Sequence, residues 1–521
     1  MISIITFNKK IIAWILISGL FAFPACSKFL DHPVENQAPP TTIDYTDLSL
    51  MYSPVSGAYK AVTRGGYATW IPTFMKTSQS DDIYPLTGYS EVNNLIHNGV
   101  SGPAIQSFWA IDQTWVNVYS AIITCNSALA ELAKFARNIP AGDATNQQLL
   151  LRYQAEIRSL IALGHFFMCR WYGDVPILGP ESISPANLDT IHKSKHLAVQ
   201  QYIINEMNWC IPNLENAAPN KATHIGGVTQ YTALMLKAKT AMDIAGGDNA
   251  SPYWDTVLNC TNQIINSGLF SLYPNYYELW KIPGKLCDES ILEFQYSDFG
   301  STTGNIVTSG DDATGSQWAN LFLFQGPANS YGGLINGSGW LVPSDDAYNF
   351  LTARNDTIRR KTTFERCGIN GDPSTYAVTP DGDTVSGNVA LSKYFNGKAY
   401  TPTSESNGTT GYYGSNNNIR LWRYAETLLM NAEALIRTGQ NGDVPLNLVR
   451  NRVGLPSLAN ATLQQLLDER RAEFICEWWG ERFNDLVRTG QAASVFSGWV
   501  AGQSEFWPTP QQEINLDANL K

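Results

Sequence analysis

Residues 420–435 read RLWRYAETLLMNAEAL, and this stretch sets the fold class. Leu421, Tyr424, Ala425, Leu428, Leu429, Ala432, Leu435 and Ile436 recur at the three- and four-residue spacing that places apolar groups on one side of a helix. The spacing predicts a helix over 420–438. Gly439 ends it, because glycine accepts the left-handed conformation after a last helical turn.

Working outward, the same period recurs on both sides. Helices are predicted over 443–453 and 463–489, the latter closed by Gly490. Upstream, 107–137 aligns Phe108, Ile111, Trp115, Val118, Tyr119, Ile122 and Ile123. The segment 150–172 aligns Tyr153, Ile157, Leu160, Ile161, Gly164, Phe167 and Met168. Shorter helices are expected near 196–215, 228–245 and 252–267. Paired helices of similar length are similar to tetratricopeptide-type repeats. The region 269–419 is different. It is rich in Gly, Ser, Thr, Asn and aromatic residues, with a strand-like run at 291–296 and long stretches (299–340, 368–418) without helical period. Loops of that length usually carry function.

The N-terminus is a secretory leader by pattern. Lys9 and Lys10 precede an apolar run from Ile11 to Phe23, closed by Pro24, Ala25 and Cys26. That run is shorter than the roughly 20 apolar residues a spanning helix needs. A polar, Pro-containing tether then runs to about Thr42. The expected organisation is 1–25 leader, 26–42 tether, 43–268 helical part, 269–419 loop-rich insertion and 420–521 helical part, in one compact body.

The chain has 521 residues and a net charge of −11, which becomes more negative once the leader's two lysines are removed. An acidic chain with scattered charge is a poor partner for nucleic acid. Beyond Cys26, seven cysteines lie far apart with no CxxC pair, which argues against a disulfide framework and a zinc site and leaves room for a single bridge. There is no HExxH, GxSxG or P-loop. His192 and His196 have helical metal-ligand spacing, but Lys193 and Lys195 beside them repel a cation. Asp81 and Asp82 are adjacent, and neighbours rarely place two carboxylates across one glycosidic bond. Neither catalytic residue, metal nor cofactor is implied.

Several motifs resemble the SusD/RagB family of outer-membrane nutrient-binding lipoproteins. RLWRYAETLLMNAEAL (420–435) resembles the family's RYAD-x-LLM-x-AEAL helix, with Glu426 for Asp. DERRAEFICEWWGERFNDLVR (468–488) resembles its ERR-x-EL-x-x-EG-x-R-x-x-DL-x-R helix, with Phe474 for Leu and Trp478-Trp479 lengthening the step before Gly480. Trp115, Tyr119, Ile122 and Asn126 match a W-x-x-x-Y-x-x-I-x-x-x-N helix. Ala155-Glu156 opens a helix that ends in Tyr172-Gly173-Asp174-Val175-Pro176, with Ile161 where Arg is usual. Phe506-Trp507-Pro508-Thr509-Pro510 and Glu513 resemble the closing PIP-x-x-E. Phe23-Pro24-Ala25-Cys26 resembles a lipobox, with Phe for the usual Leu, so the resemblance implies acylation at Cys26. The fold implied is mainly α, with degenerate tetratricopeptide-type helix pairs and an irregular region with short strands.

The family resemblance also implies partners. These are a TonB-dependent SusC-like β-barrel transporter, an oligosaccharide ligand, and the outer membrane through the lipid anchor, with the body facing the exterior. A peptide ligand of the RagB type, or less favoured a surface glycoside hydrolase, is the alternative. The implied binding site combines the loop after the first helix (Arg64, Tyr67, Trp70, Asp81, Tyr84, Asn93) with the irregular middle (Tyr296, Phe299, Trp318, Phe322, Tyr331). Trp318 leads because polar residues flank it. A pyranose offers an apolar face for stacking and hydroxyls for Asn, Asp, Arg or Gln. In 468–488, Glu469, Glu473, Glu477 and Glu481 are spaced by four with Arg470, Arg471 and Arg482 beside them, a pattern expected to form structural ion pairs.

Overall fold

The computed structural model describes residues 43–64, 66–67, 70–85, 103–179, 191–296, 325–326, 339–368, 376–386, 393–405 and 417–521, and for Arg64, Trp70, Tyr84, Pro85, Pro103, Ala104, Tyr376 and Ser386 it describes the backbone alone. Helices dominate. The front half contains α1 (Ser53–Arg64), α2 (Trp70–Ser78), α3 (Trp109–Ala136), α4 (Ala144–Tyr172), α5 (His196–Cys210), α6 (Gln230–Ala245) and α7 (Tyr253–Asn266), with the short strand β1 (Ile83–Pro85) after α2. Each of α3 to α6 packs on its successor. The connections between α3 and α4 and between α6 and α7 are short, which forces antiparallel neighbours, the helical-hairpin stacking expected from the paired lengths.

Local chemistry sets the ends. The Asp143 side chain accepts the Asn146 N–H and starts α4. Gly173, at φ +75°, ends it, and a Cβ there would lie 2.9 Å from the Phe506 ring. The Asp174 carboxylate then accepts the His196 N–H at 2.8 Å and opens α5. Nearly all of the predicted apolar positions of α3 and α4 are buried, but Ile123 is 39% exposed and faces solvent.

Two predictions along 419–489 are corrected. Residues 419–423 are not helical. They form strand β8 (Ile419–Arg423), antiparallel to β2 (Ser290–Phe294), and the helix, α10, runs Tyr424–Arg437. All five residues of β8 are buried, so both faces are apolar or satisfied and the two-residue alternation of a half-exposed strand is missing. Arg420 is tolerated there because Asn417, Asn418 and Lys281 oxygens accept from its guanidinium. The predicted helix 463–489 is two helices, α12 (Leu463–Phe474) and α13 (Glu481–Arg488), after α11 (Asp443–Arg452). The break at 475–480 has a physical cause. The Trp478 and Trp479 indoles both donate to the Arg420 carbonyl at 2.9 Å, and Cys476 (φ 60°) and Gly480 (φ 72°) turn the chain to allow it.

The middle region carries more helix than its sequence indicates. Besides strands β3 (Leu341–Pro343), β4 (Phe364–Arg366), β5 (Tyr376–Val378), β6 (Thr384–Ser386) and β7 (Tyr394–Asn396), it holds α8 (Asp345–Ala353) and α9 (Thr357–Thr363). Ser344 and Asp356 cap these helices, and they are too short to show a period. Among the described residues these strands pair two by two, β1 with β3, β2 with β8, β4 with β7 and β5 with β6, and a further short pair joins Val175–Pro176 to Lys193–Ser194.

The back of the core is ionic. Glu473 is fully buried and accepts from Arg359, Arg423 and Arg452, which sit on α9, β8 and α11. Glu289 joins Arg423 and Arg452 at 2.8 and 2.7 Å. Burial alone would raise the Glu473 carboxyl, but the three guanidiniums hold it well below the usual carboxylate range. The seven cysteines beyond Cys26 are unpaired, and six are buried, so no bridge forms among them. Among the described residues no helix is long and apolar enough to cross a membrane, and no group of His, Cys, Asp or Glu is arranged to hold a metal ion.

Candidate functional site

A cleft of about 360 Å³ opens where α1, the 224–227 turn and the end of β2 converge. Helix α1 and the turn before it offer Tyr52, Ser56, Tyr59, Lys60 and Thr63 from one face, as a three- and four-residue spacing requires. Tyr52 lies flat on His224, with centroids 3.6 Å apart and planes at 9°. The turn can enter because Gly226 has no side chain. At its φ of +80° a Cβ would sit 2.7 Å from the Gln295 carboxamide carbon.

The floor is fixed by hydrogen bonds. Tyr59 Oη donates to Glu156 at 2.9 Å and accepts the Val228 N–H at 2.7 Å. Burial raises the Glu156 carboxyl to about 7, a shift that the Tyr59 hydroxyl and Arg152 only partly oppose. At the rim, the Tyr296 N–H donates to Asn418 Oδ1 at 3.0 Å and the Tyr296 carbonyl accepts Lys285 Nζ at 2.7 Å. Asn418 Nδ2 also donates to Gln295 Oε1 at 2.9 Å. The cleft therefore combines aromatic walls with oriented amide and hydroxyl groups, within the 300–1,000 Å³ typical of small-ligand sites.

Of the residues expected to bind ligand, Tyr296 lines this cleft. Tyr67 does not qualify. It is 1% exposed, its ring packs on Phe167, and its hydroxyl donates to the Leu160 carbonyl at 2.9 Å, so it is a core residue. Asp81 is engaged by Arg482 through both carboxylate oxygens and by Arg471 at 3.4 Å, which makes it part of an ion-paired joint. Burial would raise Asp81, but the Arg482 hydrogen bond and charge hold it below the usual carboxylate range. The side chains of Arg64, Trp70 and Tyr84, and the whole of Cys26, Asn93, Phe299, Trp318, Phe322 and Tyr331, lie outside the described residues. Sequence reasoning missed Tyr52, Tyr59, His224 and Gln295. The available signal was the polar–aromatic face of 52–63 and the Gly226-Gly227 pair.

Chemically, the cleft offers stacking faces and hydrogen-bonding groups to a ligand. Glu293 is the carboxylate among its described lining residues. Its Oε2 already accepts from the Leu286 N–H and from Asn418.

The SusD family model matches residues 306–504. A SusD-like protein of Bacteroides ovatus is 25% identical over 382 residues, which cover 70% of this chain and 63% of that protein. The chain thus spans a little under two thirds of that relative's length. Among solved structures, surface glycan-binding protein A from Bacteroides fluxus superposes with a TM-score of 0.71 at 22% identity, covering 90% of this chain and 96% of that one. A laminarin binding SusD-like protein superposes at 0.69 and 24% identity, covering 90% and 97%.

Proposed function

We propose that this chain, which belongs to the SusD/RagB family, captures oligosaccharide at the outer face of the outer membrane and passes it to a SusC-like TonB-dependent β-barrel. Acylation at Cys26 anchors it, since two or more acyl chains hold a protein stably to a bilayer. The observation that carries the reading is the cleft at Tyr296. A sugar's apolar face meets Tyr52 and Tyr296, while Gln295, Ser56 and Lys60 reach its hydroxyls. Tyr296 leads directly into 297–324, the segment that holds Phe299, Trp318 and Phe322. The laminarin binding relative supports a glycan as the cargo class. A site that must release its ligand to a transporter suits dissociation constants in the μM–mM range, about −8 to −4 kcal/mol.

Isothermal titration of the purified mature chain against a panel of neutral and charged glycans, with a peptide library in parallel, tests this. Saturable binding to at least one glycan is expected. Binding confined to peptides would move the protein to a peptide-capture role, and hydrolysis of a bound glycan would make it an enzyme.

A further inference from the structure

We propose that a second groove, on the outer face of α6 and α7, binds neutral oligosaccharide independently of the Tyr296 cleft; the choice of sugar as ligand rests on the glycan-capture reading.

The groove is shallow and open to solvent, with a volume of about 430 Å³. Six carboxamides line it: Asn216, Gln230, Asn259, Asn262, Gln263 and Asn266. Tyr231, Leu234 and Ser267 complete the lining, and no Asp, Glu, Lys or Arg is among the described residues there. That composition is unusual for an exposed helix face. Solvated faces generally carry Glu, Lys and Arg, which form helix well and pair at i, i+4. Helix α7 instead places Asn259, Asn262 and Asn266 outward, and asparagine is a weaker helix former than any of those.

The amides are also oriented from behind. Asn431, buried on α10, donates from Nδ2 to Asn262 Oδ1 at 2.9 Å and to Thr261 Oγ1 at 3.0 Å. Tyr231 Oη donates to Asn216 Oδ1 at 2.5 Å, and Gln263 Nε2 donates to Asn259 Oδ1 at 2.7 Å. With these oxygens engaged, the NH₂ groups of Asn216, Asn259 and Asn262 form the donor side of the groove. The α7 asparagines step along the helix by roughly 4.5 and 6 Å at 1.5 Å per residue, a scale that suits successive hydroxyl groups of a sugar chain. Carboxamides donate and accept, as hydroxyls do. Without a formal charge in the groove, an anionic or cationic ligand gains nothing there over water.

The test uses saturation-transfer NMR titrations with laminarihexaose, maltohexaose, cellohexaose and xylohexaose. The background is the full mature chain carrying Tyr52→Ala, Tyr296→Ala and Trp318→Ala, which removes the principal stacking groups of the proposed capture site. Gln263→Leu and Asn266→Leu are then added, both at exposed positions, with circular dichroism as the folding control. The background is expected to retain binding to at least one hexasaccharide, and the two added changes to weaken it at least fivefold. Absence of binding in the background, unchanged affinity after the additions, or stronger binding there of an oligogalacturonate or a Gly-Ser hexapeptide would overturn the groove. The capture site is read separately, by comparing wild type with background. Equal affinities would remove the cleft and leave the groove standing.

Discussion

Asp81 and Arg482 lie 401 residues apart, and Arg482 donates from Nε and Nη2 to the two oxygens of Asp81, each at 2.9 Å. Beside them, Arg471 donates twice to Asp82 Oδ1, at 2.9 and 2.6 Å. The acidic pair thus joins the chain after α2 to α12 and α13, and it holds the base of β1, which leads toward the segment containing Asn93. Arg482→Met is expected to lower unfolding stability by about 1–3 kcal/mol, since the pair is partly exposed and water screens it. The folded-state Asp81 carboxyl sits below its ordinary value, so its contribution is present above about pH 4 and is lost as pH falls through the depressed value. Urea unfolding at pH 7 and pH 3 measures both effects; a loss equal at the two pH values would refute the assignment.

Glu473 is the hub of the ionic core. Glu473→Gln leaves the Arg359, Arg423 and Arg452 guanidiniums without their shared carboxylate. It should cost about 3–5 kcal/mol, as breaking a buried ion pair does. Thermal and denaturant unfolding read this directly. A loss under about 1 kcal/mol would mean that the neighbouring Glu469, Glu477 and Glu289 absorb the charge unaided.

Glu156 gives a pH signature. Its folded value is about 7 against an ordinary value of 4.5, so the folded chain keeps a proton that the unfolded chain has released in that interval. Stability therefore falls as pH rises from about 4.5 through 7. Glu156→Gln preserves an acceptor for Tyr59 and removes the titration. The difference in stability between pH 5 and pH 8 should shrink by an amount on the order of 1–3 kcal/mol. An unchanged pH slope would show that Glu156 titrates normally.

Ligand affinity should depend on stacking. Tyr296→Ala and Trp318→Ala are each expected to weaken glycan binding about 10-fold, on the order of 1–3 kcal/mol, with the melting temperature nearly unchanged. Tyr67→Phe should leave affinity intact and cost about 1 kcal/mol of stability through the lost bond to Leu160. Affinity that follows Tyr67 and ignores Tyr296 would relocate the site.

For the anchor, Cys26→Ala should shift the protein from membrane to soluble fractions in cell fractionation. Retention of that variant in the membrane would refute acylation at this residue.

Much of the helical body was legible because long helices repeat their apolar positions many times. The α4 and α10 stripes persist over several turns, so their period stands above local noise. The breaks were less legible. Leu421 belongs equally to a helical stripe and to a fully buried strand, and only the pairing of its neighbours Arg420 and Trp422 with β2 decides between them. Trp478 and Trp479 look like two more residues of one long helix until both indoles are seen to converge on the Arg420 carbonyl. The candidate site was the least legible part, because its walls come from α1, the 224–227 turn and the end of β2, which share no motif.

By itself the sequence determined the class of the molecule: amphipathic helices, and carboxylates spaced by four with arginines beside them. Those are local properties, carried by periodicity and composition. Tertiary structure decided the partners. Arg470 pairs with Asp485, Arg471 with Asp82 and Arg482 with Asp81, while Glu473 draws its guanidiniums from α9, β8 and α11. A charge in a desolvated interior binds whichever opposite charge the packing brings within reach, and sequence distance does not enter that choice.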